Sequence, residues 1–245
     1  MATYSKTVKI IGVDADAVRS DIAELIGNGG PEVTVTDQIG ETHIHVSAAA
    51  EDESEAKKIG KPVVKELKAR YGAMIYTTND DETLEQTVVE LLDKNGLTIS
   101  TAESCTGGLL SGRIINVPGA SEIIKIGIVT YSNRAKRKYL GVKKSTLEKY
   151  GAVSAETAKE MAKGILAETK ADVGLSTTGI AGPDGGTPDK PVGLVYIGCN
   201  VCGSVRIKEC RFTGDRMQIR QRAVTEALNL LRLSLLEYFT ETKLK

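Results

Sequence analysis

A strand, a small-residue turn and a helix are predicted in immediate succession, and this order constrains the fold more than any other feature of the chain. Residues 97–100 form a short apolar, β-branched run, residues 101–108 read Thr-Ala-Glu-Ser-Cys-Thr-Gly-Gly, and a helix is predicted over 109–115. The start of a helix offers free backbone N–H groups, which favour an anion or a developing oxyanion. Taken alone, however, the turn is better explained by a plain helix cap at Ser104 or Thr106.

Helical and strand patterns alternate through residues 79–245, and their lengths favour a three-layer α/β/α domain. The predicted strands are 97–100, 124–131, 172–177, 193–200 and 204–212. The predicted helices are 79–96, 109–115, 133–140, 145–150, 154–169 and 216–239. We expect the segment 204–212 to add to the sheet as an antiparallel strand.

Residues 1–78 predict a second, smaller α+β domain, so a domain boundary is expected between residues 78 and 79. Its expected elements are a strand or its lead-in at 8–13, further strands at 32–36, 42–48 and 74–76, and helices at 15–26 and 51–71, which together give a sheet of about three strands with two helices. The short spacing of the two middle runs predicts a hairpin. No arrangement of residues in this domain indicates catalysis.

Two features of the smaller domain invite a functional interpretation, and both are better explained structurally. His43 and His45 alternate with apolar residues, which is typical of the solvated face of a strand rather than of a metal site. Gly27, Gly29 and Gly30 resemble the glycines of the loop with which RNA-binding KH modules clamp phosphate groups. Because no basic cluster surrounds these glycines, a plain helix-to-strand turn is favoured.

The composition gives no global attraction to several classes of partner, although local charged patches remain open. The chain of 245 residues has 32 basic and 32 acidic residues, so no global charge draws it to nucleic acid or to an acidic membrane. No apolar run approaches the ~20 residues that span a bilayer, and the N-terminus lacks a signal peptide. We therefore expect a cytoplasmic protein with reduced cysteines. The Cys199-x-x-Cys202 pair has no second pair and no nearby histidine, which favours a structural interpretation over a metal site.

The residues that follow the predicted strands indicate an active site, because ligands in α/β sheets bind beyond the carboxyl ends of the strands. The region 79–245 contains no histidine, which excludes a Ser/His/Asp triad. A serine enzyme without histidine needs another base, commonly a lysine of lowered pKa. Lys136 is the best-placed candidate to activate Ser104. Its cationic neighbours would lower its pKa, as would burial, although Arg137 and Lys138 are interpreted as a solvated helix face.

Two arginines at the start of the last helix are candidates for an anion site. Arg216 and Arg220 are four residues apart and share one helix face. They are placed to clamp a phosphate bidentately, and the alternative is a pair of surface charges that bind neighbouring carboxylates. Asp215 is interpreted as a helix cap or as an arginine partner.

Several motifs in fixed order closely resemble the CinA (competence/damage-inducible protein A) family. The motifs are Ala102–Gly108, Gly127–Asn133 followed by Lys136, Leu140–Val142, Gly151–Ser154, Thr178–Pro183, Lys190–Gly193 and Gly214–Arg216. The resemblance covers residues 80–240 and the C-terminal domain of that family, while residues 1–78 resemble its KH-like middle domain in layout. It does not extend to the molybdopterin-binding-like domain of full-length CinA, so no pyrophosphatase activity is carried over.

The resemblance implies an amidohydrolase that converts nicotinamide mononucleotide (NMN) to nicotinate mononucleotide and ammonia, with no metal or organic cofactor. It implies Ser104 as the nucleophile and Lys136 as the general base. It further implies a dimer with NMN as its small-molecule partner, whereas nucleic acid and membranes are not expected as partners.

The resemblance also assigns residues to the substrate pocket. N–H groups around Thr106, Gly107 and Gly108 are expected to form the oxyanion hole. Tyr131, Thr178 and Gly179 are expected to line the pocket, and Arg216 or Arg220 to hold the 5′-phosphate. Asp184 stands where glycine is common in the family, and its effect on the pocket is open.

Two other functions remain open from the sequence. The chain would be a KH-like adaptor for nucleic acid or protein if its larger domain were catalytically idle. Alternatively, the enzyme would act on another nucleotide amide. Replacement of Ser104 by alanine separates an enzyme from an adaptor, because only the enzyme would lose its function.

Overall fold

The chain forms two compact units, Met1–Leu84 and Glu85–Lys245, in a computed structural model that describes residues 1–26 and 30–243. The expected boundary after residue 78 falls inside the first of these units. Two of the three glycines of the KH-like loop, Gly27 and Gly29, lie outside the described residues.

In its described residues, 1–26 and 30–84, the first unit is a four-stranded antiparallel sheet with two helices. Its elements are β1 (Ala2–Ile10), α1 (Ala15–Asp21), β2 (Glu32–Gln38), β3 (Glu41–Ala50), α2 (Glu53–Tyr71) and β4 (Ile75–Thr77), with 3₁₀ turns at Ala23–Leu25 and Gly72–Met74. The strand order β2-β3-β1-β4 is that of the ferredoxin-like split β-α-β arrangement. The predicted hairpin is confirmed as β2 and β3.

Pairing with β3 makes β1 longer than the sequence predicts. Every residue from Ala2 to Ile10 has a partner in β3, so the polar first half of β1 is a strand although it lacks an apolar run. The described sheet has four strands where about three were expected, because residues 8–10 of the run at 8–13 belong to a full strand. The predicted helix over 15–26 ends early at Asp21, where Ile22 leaves helical geometry. The Asp14 carboxylate caps the start of α1 by accepting a hydrogen bond from the Ala17 N–H at 2.8 Å.

The two histidines of β3 are half-buried, which corrects the prediction that they are solvated. The His43 ring lies 3.3 Å from a Glu41 carboxylate oxygen and 3.3 Å from the Tyr76 hydroxyl. The His45 ring lies 3.1 Å from the Thr7 hydroxyl on the neighbouring strand. These contacts are explained by the cross-strand pairing, which sequence alternation alone does not reveal.

The second unit alternates strands and helices. The described elements from its first helix onward are α3 (Leu84–Asp93), β5 (Ile99–Glu103), α4 (Leu109–Ile115), β6 (Ile124–Val129), α5 (Asn133–Leu140), α6 (Lys144–Tyr150), α7 (Ala155–Thr169), β7 (Val173–Gly179), β8 (Leu194–Val201), β9 (Ser204–Arg211) and α8 (Arg216–Lys243). The sheet order is β6-β5-β7-β8-β9. With α7 and α8 packed against its central strands, the sheet forms the middle layer of an α/β/α domain.

Three parallel strands end at the edge of the sheet where the candidate site lies. Strand β5 lies between β6 and β7 and is parallel to both, whereas β8 is antiparallel to β7 and to β9. The sequence predicted only 204–212 as an antiparallel addition, so β8 is a second one. Because β5, β6 and β7 point the same way, the residues that follow them meet at one edge of the sheet.

Strand β5 also extends further than predicted. Residues 101–103 pair with β6, and Thr101 and Ala102 also pair with β7, so these residues belong to the strand and not to the turn. All five residues of β5 are buried. The turn therefore begins at Ser104, directly at the carboxyl end of the central parallel strand. Among the helices within residues 1–26 and 30–243, none has the length and apolar character needed to cross a membrane.

Candidate active site

The structure brings Ser104 and Lys136 together. The Lys136 Nζ donates a hydrogen bond to the Ser104 Oγ at 2.8 Å and another to the Thr130 carbonyl oxygen at 2.7 Å. Ser132 starts α5 by accepting a hydrogen bond from the Ala135 N–H, which places Lys136 one turn into the helix on its inward face. The Lys136 side chain is 1% exposed, so the contact is shielded from solvent.

Burial is what makes Lys136 a plausible base. Loss of solvation lowers the pKa of Lys136 to about 8. Burial was one of two predicted causes of a lowered pKa, and the other was the charge of the neighbouring cations. The side chains of Arg134, Arg137 and Lys138 are exposed instead, where water screens their charges. The pKa lies close enough to neutrality for a neutral amine to be available.

The thiol next to the serine does not compete as a nucleophile. Cys105 is buried, and this burial raises its pKa to about 12. The thiolate is the nucleophilic form of cysteine. Cys105 is therefore present as an unreactive thiol at neutral pH, and Ser104 is the nucleophile that the site offers.

Glu103 organises the turn and was missed by the sequence analysis. Its fully buried carboxylate accepts hydrogen bonds from the N–H groups of Gly108, Leu110 and Ser111, and from the Ser111 hydroxyl. An anion at the start of α4 is stabilised by these donors and by the helix dipole. The only signal in the sequence was an acid immediately before the turn, and its burial follows from the unexpected length of β5.

This carboxylate changes which N–H groups are free for an oxyanion. The Gly108 N–H is bonded to Glu103 at 2.9 Å, and the Gly107 N–H is bonded to the Ser104 carbonyl oxygen at 3.1 Å. Both were predicted as oxyanion donors. By contrast, the N–H groups of Cys105 and Thr106 donate to no oxygen of the described part of the chain. Their hydrogen-bond contact is with the Cys105 sulfur, which is a weak acceptor. The N–H groups that a stronger acceptor such as an oxyanion can take over therefore lie next to the nucleophile.

Arg220 braces the turn from the last helix. Its Nε donates to the Cys105 carbonyl oxygen at 3.1 Å and its Nη2 donates to the Thr106 carbonyl oxygen at 2.8 Å. A Cβ added at Gly107, where φ is +61°, would lie 3.0 Å from this Nη2. The guanidinium predicted to bind a phosphate is therefore bonded to the main chain of the catalytic turn.

Arg216 occupies a more open position. Its Nη1 donates to the Gly182 carbonyl oxygen and its Nη2 donates to the Tyr131 hydroxyl at 3.2 Å. Tyr131 is 64% exposed, and Arg216 is exposed as well. Asp215 caps α8 by accepting a hydrogen bond from the Gln218 N–H, which decides between its two predicted roles. Arg216 and Tyr131 thus meet at the surface, as a pocket rim would require.

Strand β7 turns a different threonine toward the turn than the one predicted. The Thr177 hydroxyl lies 2.7 Å from the Thr106 hydroxyl, whereas the Thr178 hydroxyl donates to the Ala152 carbonyl oxygen at 2.7 Å. Successive side chains of a strand point to opposite faces, so only one of the two can face the site. At Gly179, a Cβ would lie 2.6 Å from the Val195 side chain, so strand packing explains this glycine. Asp184 is exposed in the loop after β7.

The described residues offer no metal centre. Within residues 1–26 and 30–243, no group of three or more His, Cys, Asp or Glu side chains is arranged to hold a metal ion. Cys199 and Cys202 are free thiols, the first buried in β8 and the second exposed in the turn that follows. The chemistry available at the site is that of a hydroxyl, an amine and backbone N–H groups.

Comparison with protein-family models assigns both parts of the chain. Residues 81–235 match the CinA C-terminal domain, and residues 5–77 match the damage-inducible protein CinA KH domain. A putative competence-damage inducible protein of Clostridium novyi is 46% identical over 234 residues, which cover 95% of this chain and 56% of that protein. A CinA-like protein of Kosmotoga olearia is 48% identical over 234 residues, which cover 95% of this chain and 57% of that protein. The chain therefore spans little more than half the length of these relatives.

Solved structures of CinA-type proteins match about three-fifths of the chain. The competence/damage inducible protein CihA of Agrobacterium tumefaciens is 43% identical with a TM-score of 0.60, covering 62% of this chain and 93% of that one. A CinA superfamily protein of Klebsiella pneumoniae is 36% identical with a TM-score of 0.61, covering 63% of this chain and 96% of that one.

Proposed function

Because this chain belongs to the CinA family, we propose that its second unit is an amidohydrolase that converts NMN and water to nicotinate mononucleotide and ammonia. The observation that carries the proposal is the 2.8 Å contact between the Lys136 Nζ and the Ser104 Oγ in a buried setting. A nucleophile hydrogen-bonded to a base of lowered pKa is the arrangement that acyl transfer requires. The substrate itself is proposed from the family resemblance.

The first half of the reaction forms an acyl-enzyme. The neutral Lys136 amine takes the proton of the Ser104 hydroxyl while the Oγ attacks the carboxamide carbon. The C–N bond then breaks, and the lysine ammonium returns the proton to the departing nitrogen, which leaves as ammonia. With a pKa of about 8, about one-tenth of Lys136 is neutral at pH 7.

The second half restores the enzyme. Lys136 takes a proton from a water molecule, whose oxygen attacks the acyl carbon. The C–O bond to Ser104 breaks, and the lysine gives the proton back to the serine oxygen. Nicotinate mononucleotide leaves and both side chains return to their starting state.

The turn supplies the charge stabilisation that both halves need. We assign the oxyanion hole to the N–H groups of Cys105 and Thr106, which donate to no oxygen of the described residues, and not to those of Gly107 and Gly108. The loss of one such donor typically costs about 3 kcal/mol of transition-state stabilisation. Arg220 holds the carbonyl oxygen of the Cys105–Thr106 peptide, so it fixes the opposite direction of the Thr106 N–H.

The two arginines then have separate tasks. Arg220 is a positioning residue, because its guanidinium is bonded to the turn. We assign the binding of the 5′-phosphate of NMN to Arg216. Its side chain is exposed beside Tyr131, where a charged group can reach it from solvent. A guanidinium at this position binds a phosphate by charge-assisted hydrogen bonds.

The test is ammonia release from NMN by the purified chain and two variants. Wild type should release ammonia, and Ser104→Ala should lose at least about 10³-fold in kcat/KM. The matched control is Cys105→Ala, which changes the neighbouring buried side chain and should stay within several-fold of wild type. Activity that survives in Ser104→Ala but not in Cys105→Ala would move the nucleophile to the thiol. No release by folded wild type from NMN, nicotinamide riboside or NAD would favour the KH-like adaptor.

A further inference from the structure

One segment of the second unit is strongly basic in a chain whose total charge is zero. Residues 132–151 contain seven cationic side chains and a single carboxylate, Glu148. The cations are Arg134, Lys136, Arg137, Lys138, Lys143, Lys144 and Lys149. Lys136 is buried against Ser104 and faces away from the others. The proposed catalytic site therefore uses one cation of this segment, and the remaining ones require a separate explanation.

Five of these cations line one concave surface, which we call the α5–α6 cavity. It has a volume of about 530 Å³ and is lined by Arg134, Arg137, Lys138, Val142, Lys143 and Lys144. Within the described part of the chain, Lys144 is the only one of the five in an ion pair, with Glu148 at 3.3 Å. The nearby Glu160 carboxylate accepts instead from the Lys143 backbone N–H and the Thr146 hydroxyl. The positive charge of the cavity is thus largely uncompensated by the protein.

We propose that the α5–α6 cavity binds a soluble polyphosphate anion. Clustered like charges repel one another, and an anion with several phosphate groups removes that repulsion while accepting bidentate hydrogen bonds from the arginines. None of the six lining residues is aromatic, so the cavity recognises phosphate groups and offers no stacking surface for a base.

A second basic cavity shows which features distinguish the proposed site. Helix α2 of the first unit borders a space of about 530 Å³ lined by Ser54, Lys57, Lys58, Lys61, Pro62 and Lys65. It contains no arginine, and Lys57 is paired with Glu53. The planar guanidinium fork matches phosphate geometry, whereas an ammonium acts as a point charge. The two cavities therefore share size and sign of charge but differ in their capacity for bidentate binding.

The test is calorimetric titration with inorganic tripolyphosphate in a buffer without divalent cations. Wild type and Ser104→Ala should bind one tripolyphosphate per chain, since the cavity shares no residue with the catalytic pair. The double variant R137S/K138S should lose at least about tenfold in affinity. The matched control K61S/K65S removes the same charge from the α2 cavity and should stay within about twofold of wild type. These side chains are exposed, and equal melting temperatures would establish that both double variants are folded.

Three results would overturn the proposal. Equal losses in the two double variants would mean that the anion responds to total charge and not to the α5–α6 cavity. Undetectable binding by wild type at moderate ionic strength would mean that the basic side chains of the cavity are only solvated and bind no anion. Binding of a single-stranded oligonucleotide in the absence of tripolyphosphate binding would assign the surface to a nucleic-acid backbone. Because Ser104→Ala is included, failure of the amidohydrolase proposal would not affect the outcome.

Discussion

Among the residues whose burial is described, each unit buries one lysine, and the two differ in what their ammonium groups face. Lys9 in β1 is 7% exposed, and its Nζ donates to the carbonyl oxygens of Asp80 and Glu82, both at 2.8 Å. Lys136 in α5 donates to one carbonyl oxygen, that of Thr130, and to the hydroxyl of Ser104. Carbonyl oxygens only accept hydrogen bonds, whereas a hydroxyl also has a proton to give. Burial of a lysine therefore does not by itself indicate a base.

The largest expected effect compares these two lysines directly. K136M should lower kcat/KM for NMN by at least about 10³-fold, because it removes the group that takes the serine proton. K9M removes an equally long side chain from the other unit and should leave kcat/KM within about threefold of wild type. Ammonia release measures both. Comparable losses in the two variants would mean that Lys136 acts only through folding.

The second effect is on stability and follows from the lowered pKa of Lys136. Between pH 8 and about 10.5 the unfolded chain keeps a proton on Lys136 that the folded chain has lost, so stability rises with pH. Relative to K136M, wild type should gain about 3 kcal/mol in free energy of unfolding across this window. The gain is lost again as the pH falls from about 10.5 to 8, and below pH 8 both states carry the proton, so the difference no longer changes. Urea unfolding at several pH values measures it, and a constant difference between the two proteins would contradict the burial of this ammonium.

The third effect separates the two arginines of α8. R220K should lower kcat about 10- to 100-fold with KM within about threefold, because a single ammonium cannot hold both carbonyl oxygens of the turn. R216K should instead raise KM for NMN and spare kcat. For nicotinamide riboside, which lacks the phosphate, R216K should leave both kcat and KM unchanged. If R216K lowered the activity toward nicotinamide riboside and R220K did not, the two assignments would be reversed.

The smallest effect concerns the neighbouring threonines of β7. T177V removes the contact with the Thr106 hydroxyl and should cost about 1 kcal/mol of transition-state stabilisation, or several-fold in kcat. T178V removes a contact with the Ala152 carbonyl oxygen on the other side of the strand and should change stability without changing kcat. Steady-state kinetics with thermal melts distinguishes them. A larger kcat loss in T178V would restore the sequence prediction.

The pairing of Ser104 with Lys136 was predictable because exclusion of histidine left few bases near a strand end. The sequence also predicted most helices of the second unit, such as α4, whose predicted and observed bounds both run from 109 to 115. These elements carry strong local signals, since apolar spacing and caps are encoded within a few residues.

The finer geometry depended on contacts between distant parts of the chain. The length of β5 is set by pairing with β6 and β7, and this pairing places Glu103 inside the site. Arg220 contacts the carbonyl oxygen of Cys105, which lies 115 positions earlier in the sequence. Which of Thr177 and Thr178 faces the site depends on the register of one strand, where a shift of one residue exchanges the faces. Local sequence patterns contain none of this information.

The central claim is that Lys136 acts as a neutral base toward Ser104, and the pH dependence of kcat/KM for NMN tests it most directly. The account predicts that kcat/KM rises about tenfold per pH unit below neutrality and levels off with an apparent pKa of about 8, because only the neutral amine takes the serine proton. A kcat/KM that is independent of pH between about 6 and 9 in an active enzyme would contradict it.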